Sequence, residues 1–252
     1  SQIVYVRNFN DVMSDRSRSN LWLIDVATGE QRPLTSGTHS NGSPRWSPDG
    51  ERLLWVSSQD GGAQLWMRWM DTGQTARITN LVRGPGAVTW SPDGQWISFS
   101  MFVPAQGESI GAQLQSAPPG ADWAPPARVI TKLQYRADGG GYLPDGFRHL
   151  FVVPAEGGTP RQLTSGDFNH GGHSWTPDGG SLVFSANRHD DWQYDPADSE
   201  IYELALATGE LTQLTSRHGP DNSPQISPDG TQIVYTGNDE QYLGYNINEV
   251  YV

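Results

Sequence analysis

A turn of the form Ser/Thr-Pro-Asp-Gly occurs four times in this chain and constrains its fold more than any other feature of the sequence. In such a turn, Pro fixes φ, the Asp side chain accepts hydrogen bonds from nearby backbone N–H groups, and Gly supplies a positive φ. A weaker fifth copy lies between the second and the third, and the five Asp residues are 44, 45, 40 and 51 residues apart. Turns that return at such intervals indicate an internal repeat. The copies begin at Ser47, Ser91, Arg136, Thr176 and Ser227.

A second sequence landmark recurs at similar intervals to the turn. A Leu-Thr or Ile-Thr dipeptide recurs in each repeat, at residues 34–35, 78–79, 130–131, 163–164 and 214–215. Short segments of alternating or continuous apolar residues, such as Gln64-Leu65-Trp66-Met67, separate the landmarks and predict β-strands. Four antiparallel strands in about 40–45 residues are typical of one blade of a β-propeller.

The sequence therefore predicts an all-β chain, a single β-propeller of four-stranded antiparallel blades over residues 1–252. About six blades are represented, and we expect the first to lack its first strand and the last to lack its fourth. Two open terminal blades favour a segment of a longer chain, with a six-bladed ring of two shortened blades as the alternative. The predicted blades cover residues 1–35, 43–79, 87–131, 133–164, 172–215 and 223–252.

Composition agrees with this fold and excludes several classes of function. The 29 Gly and 18 Pro disfavour a helical bundle, whereas ten Trp, nine Tyr and seven Phe supply core material. No cysteine is present, which excludes disulfides, thiolate zinc sites and Cys nucleophiles and leaves cytoplasm and periplasm equally open. A net charge of −12 argues against nucleic-acid partners. No apolar run approaches the ~20 residues of a membrane span.

One segment matches a catalytic motif by its letters. Gly107-Glu108-Ser109-Ile110-Gly111 has the G-x-S-x-G form of a nucleophile elbow. That elbow works because a strand turns sharply into a helix, and here the following residues are rich in Pro, Gly and Ala without a helical pattern. We predict no catalytic residue in this chain.

Two segments suggest metal binding without the spacing of a dedicated site. His170 and His173 are three residues apart, so a single ion would reach both only if the intervening glycines made a turn. The acidic stretch from His189 to Glu200 lacks the spacing of a calcium loop. We predict that the segment with His170 and His173 is a loop leading into a strand, and that the acidic stretch is a solvated loop. We predict no bound metal or cofactor.

Position in the propeller gives the remaining candidates. The first strand of each blade lines the central tunnel, and the loops before these strands meet on one face. Those loops are predicted at residues 40–43, 84–86, 169–173 and 221–223, and their small polar residues suit a wet tunnel entrance. Candidates for contact with a peptide or a partner domain are Asn41, Arg45, Arg136, His170, His173, Asp221 and Asn222.

The repeat resembles that of PD40/TolB-type propellers, and several segments narrow the resemblance. The chain is similar to bacterial prolyl-oligopeptidase-family (S9) serine peptidases of the acylaminoacyl or dipeptidyl-aminopeptidase type, along essentially its whole length. The segments concerned are 11–22 (DVMSDRSRSNLW), 120–126 (GADWAPP), 135–139 (YRADG), 148–153 (RHLFVV) and 161–167 (RQLTSGD). The stretch from 120 to 167 is the more specific part.

The resemblance implies a function for the chain. In that family the propeller covers a C-terminal α/β-hydrolase domain that carries the Ser-Asp-His triad, and this sequence contains no positions onto which the triad can be carried. We expect a non-catalytic propeller whose partners are that hydrolase domain and short peptide substrates. A stand-alone TolB-like propeller that binds a protein or peptide is the alternative. A metal-dependent propeller lyase or lactonase is a third, weaker hypothesis.

Overall fold

The computed structural model describes residues 1–105, 118–123, 130–243 and 245–252. These residues form strands and turns, and their strands lie in five antiparallel blade sheets and one two-stranded sheet. No helix in the described ranges is long and apolar enough to cross a membrane. The prediction of an all-β propeller is confirmed.

The terminal blades each contain three strands among the described residues, as the sequence predicts. Blade 1 holds the first three strands of the chain: β1 (Gln2–Asp11), β2 (Arg16–Asp25) and β3 (Gln31–Pro33). Blade 5 comprises β18 (Asp221–Ile226), β19 (Ile233–Gly237) and β20 (Glu249–Tyr251).

The three central blades have four strands each. Blade 2 contains β4 (Asn41–Trp46), β5 (Arg52–Ser57), β6 (Gln64–Trp69) and β7 (Thr75–Arg77). Blade 3 contains β8 (Pro85–Trp90), β9 (Trp96–Pro104), β12 (Gly146–Pro154) and β13 (Arg161–Gln162). Blade 4 contains β14 (His170–Trp175), β15 (Ser181–Ala186), β16 (Glu200–Ala205) and β17 (Leu211–Gln213).

The predicted blades 87–131 and 133–164 are wrong as separate units, because blade 3 takes strands from both. β9 pairs with β12 from Pro104 opposite Gly146 to Trp96 opposite Pro154, so residues 105–145 connect two neighbouring strands of one sheet. Within that connection β10 (Arg136–Ala137) and β11 (Gly141–Tyr142) form a separate hairpin. The described chain thus has five blade sheets instead of about six.

A hydroxyl group explains why Ser or Thr opens each of the four strong turns. The Ser91 hydroxyl donates to the Asp93 carboxylate and accepts a hydrogen bond of 2.9 Å from the backbone N–H of Trp96, where the second strand begins. The carboxylate of Asp93 also accepts the N–H of Gln95 at 3.0 Å. Ser47, Thr176 and Ser227 make the equivalent bonds. The turn therefore fixes the register of each hairpin.

The turns also contact one another from blade to blade. A Cβ placed on Gly94 would lie 3.6 Å from the ring of Pro48 in the preceding blade. Gly179 approaches Pro92 in the same way, at 3.7 Å. A Cβ at these distances would be in ordinary contact, so it is the φ values near +70°, which L-residues rarely adopt, that favour Gly at both positions.

The threonine of the second landmark attaches each short outer strand to its blade. The Thr79 hydroxyl accepts the backbone N–H of Leu65 at 3.0 Å and donates to the Gln64 side chain at 2.9 Å. Equivalent N–H bonds of 2.8–2.9 Å end on three further hydroxyls, those of Thr35, Thr164 and Thr215. Each hydroxyl takes a backbone donor that the short outer strand leaves without a ladder partner.

The core lies in the seams between neighbouring blades. Leu21, Leu53 and Trp55 pack between blades 1 and 2, and Phe99 stacks on Phe151 at 5.6 Å within blade 3. Leu150 joins the cluster of blade 4. Each blade is therefore stabilised chiefly by its neighbours, as in other repeat folds.

The first strands share a bulge after their second residue. In blade 2 the pairing shifts between Gly42 and Arg45, and Ser43 has a φ of 53°. The same shift recurs in β8, β14 and β18, with positive φ at Ala87, Gly172 and Ser223. Because all four first strands share this strained residue, the bulge belongs to the blade architecture and marks no individual site.

We expect Thr79→Val to destabilise the protein by about 1–3 kcal/mol, because the buried N–H of Leu65 would lose its acceptor and the Gln64 amide oxygen would keep only the N–H of Leu81 as a donor. Thr131→Val is the matched control, since Thr131 belongs to the same sequence landmark but lies exposed outside the blade sheets. Urea unfolding followed by Trp fluorescence measures both. Equal effects of the two substitutions would contradict this account of the landmark.

Candidate functional site

A cleft of about 480 Å³ opens where the first strands of blades 4 and 5 begin. It is bounded by the loop before β14, the segment between β15 and β16, and the start of β18. Two predicted candidates, His170 and Asn222, line it. The predicted entrance loops are in fact the bulged starts of the first strands, because β4, β8, β14 and β18 begin at Asn41, Pro85, His170 and Asp221. The cleft therefore has a largely β-structured floor.

Arg148, which the sequence analysis missed as a candidate, is held in this cleft by its backbone. Its N–H donates to Asn169 Oδ1 at 2.9 Å, and its carbonyl oxygen lies 3.1 Å from His170 Nδ1. Both partners belong to the next blade. The guanidinium is exposed and makes no hydrogen bond or ion pair with any described residue.

The hydrogen bonds of His170 fix its tautomer. A carbonyl oxygen can only accept, so Nδ1 carries the proton, and Nε2 accepts a hydrogen bond of 2.8 Å from the Arg188 guanidinium. Burial lowers the pKa of His170 to about 4, and the neighbouring His149 and Arg188 act in the same direction. Both ring nitrogens of this neutral side chain are occupied, so His170 has no free nitrogen for a metal or for proton transfer.

His173 lies on the same side of the strand as His170 but bonds a different partner. The bulge at Gly172 turns both side chains toward blade 3, where His173 Nε2 lies 2.9 Å from the Ser98 hydroxyl. Burial lowers its pKa to about 4. The two histidines thus fasten blade 4 to blade 3 at separate points and do not share a ligand position.

Asn41 is buried in the seam between blades 1 and 2 and acts there as a structural bridge. Its amide nitrogen donates to the carbonyl of Ser19 and to the Asn20 side chain, both at 3.2 Å. Its side-chain oxygen accepts the indole N–H of Trp55 at 3.2 Å. Its amide is therefore occupied within the fold and is not free to contact a peptide.

Asp221 and Asn222 start the first strand of blade 5. The Asp221 side chain is wholly buried, and one of its carboxylate oxygens pairs with Arg217. It lies close enough to Glu200 to raise the pKa of that carboxyl group, an effect to which burial contributes most. The Asn222 side chain bonds the Ser185 hydroxyl at 3.1 Å and faces the cleft.

The two predicted arginines lie away from the cleft. Arg45 is exposed in β4, where its guanidinium bonds the carbonyl of Pro44 at 3.0 Å. Arg136 is in the β10–β11 hairpin, paired with Tyr142, because the weak turn copy belongs to the hairpin and not to a blade. Neither lines the cleft beside Arg148.

Carboxylates and histidines do come together beside blade 4. Ligand atoms of His189, Asp198 and Glu200 lie within 4.8 Å of one another, and Asp195, Asp198 and His218 form an adjoining group. His218 Nε2 is 2.9 Å from Asp195, and the Thr215 hydroxyl bonds Glu200. His189 Nε2 also lies 3.4 Å from Asp198, so each of these groups, most of them partly or fully buried, has a partner within the protein. The Gly107-Glu108-Ser109-Ile110-Gly111 motif lies outside the described residues.

Comparison with known proteins places this geometry in a family. Residues 3–103 match the TolB beta propeller domain family PD40, and residues 141–242 match the dipeptidyl peptidase IV N-terminal region. The uncharacterized peptidase YuxL of Bacillus subtilis is 32% identical over 188 residues, which is 74% of this chain and 28% of that protein. The chain is a β-propeller that corresponds to the propeller domain of S9 peptidase-like proteins. The prediction from the repeat and its flanking segments is confirmed.

Further relatives show the extent of the correspondence. Dipeptidyl-peptidase 5 of Porphyromonas gingivalis is 27% identical over 246 residues, 92% of this S9-type propeller and 35% of the relative. The acylaminoacyl peptidase of Pyrococcus horikoshii superposes with a TM-score of 0.72 at 16% identity, over 99% of this chain and 36% of that one. The chain thus spans roughly a third of the length of these proteins.

We expect the stability of this propeller to fall as the pH falls from about 6.5 to about 4, because His170 and His173 have a pKa near 4 when folded and about 6.5 when unfolded. The unfolded chain binds more protons in this window, so each histidine adds up to about 1.4 kcal/mol per pH unit to the slope. His173→Gln should reduce the slope, as urea unfolding at several pH values would show.

His39→Gln serves as the control for this prediction, since His39 is exposed and lies outside the seam between blades 3 and 4. A His173→Gln protein that loses stability with falling pH as steeply as the wild type would contradict the assignment.

Proposed function

We propose that this chain is the non-catalytic propeller portion of an S9-type serine peptidase, which covers the active site of an α/β-hydrolase domain and admits short peptides. The observation that carries the proposal is the near full-length correspondence with one part of peptidases. Dipeptidyl-peptidase 5 of Porphyromonas gingivalis aligns over 92% of this chain, and the acylaminoacyl peptidase of Pyrococcus horikoshii superposes over 99%. The chemical work in this proposal belongs to a domain outside this chain.

The cleft supports a role in admitting peptides. It opens at the starts of first strands, which line the central passage of a propeller. Trp192 and small residues form part of its wall, while Arg148 and Asn169 supply polar groups. The carbonyl oxygens of an extended peptide can accept hydrogen bonds from these polar groups, and its side chains can pack against the wall.

A stand-alone TolB-like propeller that binds a protein or peptide is the second candidate. The match of residues 3–103 to the TolB beta propeller domain favours it. The same cleft would then hold a peptide segment of a partner protein, and the full-length protein would bind that peptide without hydrolysing it.

We expect the full-length protein to cleave a short peptide and to leave the same sequence intact when it is displayed on a folded domain, because a passage between blades excludes folded substrates. Mass spectrometry of both digests measures the difference. The unfolded form of the same domain is the control and should be cleaved. Cleavage of the folded substrate at the rate of the free peptide would contradict the gating role, and absence of any hydrolysis would favour the TolB-like alternative.

A further inference from the structure

We propose that the guanidinium of Arg148 binds a carboxylate group of a peptide in the cleft between blades 3, 4 and 5, with Asn169 and His170 as positioning residues. The inference rests on the proposed function for the ligand being a peptide. The choice of a carboxylate rests on the geometry and charge of the cleft.

The equivalent positions in other blades show that the fold itself does not require an arginine here. Arg148 directly precedes the polar residue that bonds the landmark threonine, and the same position is occupied by Ser19, Ala63 and Ser199 in blades 1, 2 and 4. The Ser19 hydroxyl donates to the Asn41 carbonyl at 2.7 Å, so it serves the seam. Only blade 3 places a long charged side chain at this point among these four.

The backbone of Arg148 is fixed while its side chain is free. Asn169 takes its N–H at 2.9 Å and His170 meets its carbonyl oxygen at 3.1 Å, both from the neighbouring blade. The guanidinium has no partner among the described residues. The fixed backbone holds the start of this side chain in place, and the guanidinium can pair with a ligand without first breaking an internal ion pair, against which stands the entropy lost when the side chain is ordered.

The charge of the cleft selects an anion. Among the described residues that line it, Arg148 is the charged side chain, none is an Asp or Glu, and His170 is neutral. This lining stands out in a chain with 28 acidic and 16 basic residues. A guanidinium presents parallel N–H donors that match a carboxylate in a bidentate pair.

The remaining hydrogen-bonding capacity also favours an acceptor-rich ligand. Asn169 must present Oδ1 to the backbone N–H of Arg148, so its Nδ2 group remains as a donor with no partner among the described residues. Trp192, Pro196 and Pro220 add apolar wall. Donors beside an apolar surface suit a peptide with its carboxylate and carbonyl oxygens better than a bare inorganic anion.

The test is binding of short peptides to the full-length protein by isothermal titration calorimetry. The probes are an N-acetylated tetrapeptide with N-methylated peptide bonds, which resist hydrolysis, in three forms: a C-terminal acid, a C-terminal amide, and an amide with one internal Glu. We expect the acid to bind about tenfold more tightly than the plain amide. Arg148→Gln should reduce this ratio to about one and leave amide binding unchanged.

Two variants control the interpretation. Arg45→Gln makes the same chemical change on an exposed first-strand arginine outside the cleft and should keep the tenfold ratio. Asn169→Ala should lower the ratio, and the ratio is the readout because loss of folding would weaken acid and amide binding alike. If the amide peptide with an internal Glu binds more tightly than the plain amide and the C-terminal acid does not, the carboxylate that Arg148 binds belongs to a side chain. This result still supports the inference.

Two results would overturn it: no preference of the wild type for either carboxylate, or an undiminished preference in Arg148→Gln. Hydrolysis of the unmethylated amide peptide is measured in parallel. Activity without carboxylate preference removes this inference alone, whereas preference without activity removes the proposed peptidase role and leaves the Arg148 site in place.

Discussion

The hydrogen bonds of the landmark threonine hydroxyl are the interaction on which blades 1 to 4 depend. The outer strands are only two or three residues long, and a strand this short offers few ladder bonds. One hydroxyl accepts the N–H of the third strand and contacts the polar side chain that precedes it, so it fixes the outer strand and orients that side chain toward the next blade. In blade 3 the chain of contacts runs from Thr164 to His149 at 3.4 Å, then to the ring of His170 at 5.2 Å, and from His170 to the Arg148 backbone. The fold and the cleft are thus connected through one residue type.

The seams share a geometry but differ in chemistry. In three seams the polar residue before the third-strand apolar residue meets the first residue of the next blade. These pairs are Asn20 beside Asn41, His149 beside His170, and Glu200 near Asp221. The amide pair is neutral and bonded directly. The histidine pair is kept neutral by burial, which lowers both pKa values, while Arg188 satisfies His170 from outside. The acidic pair needs Arg217 on one carboxylate and Thr215 on the other. Because backbone pairing supplies the fold, these positions tolerate different charges when each has a partner.

The repeat predicted the blade type, most strand positions and both three-stranded terminal blades, because turn chemistry is local. It failed at blade 3, where residues 136–139 imitate the turn. The four true copies begin with a hydroxyl residue that bonds the Asp, whereas this copy begins with Arg136 and cannot make that bond. That missing hydroxyl was the available signal. The site was only partly predictable: His170 and Asn222 do line the cleft, but Asn41 and His173 are used in seams. Arg148 was missed because its positioning comes from residues about twenty positions away across a seam.

The net charge of this propeller and the charge of the residues that line its cleft differ in sign. A net charge of −12 makes the surface as a whole unfavourable for polyanions, yet the described residues that line one cleft include a cation and no carboxylate. Strand alternation produces this separation, since His149 turns into the seam and its neighbour Arg148 therefore turns outward. The buried His149 packs in the seam, and the side chain of the exposed Arg148 beside it makes no contact on which the fold depends. A position that is small and bonded in blades 1 and 4 can thus carry an unpaired charge in blade 3 at little cost to the fold.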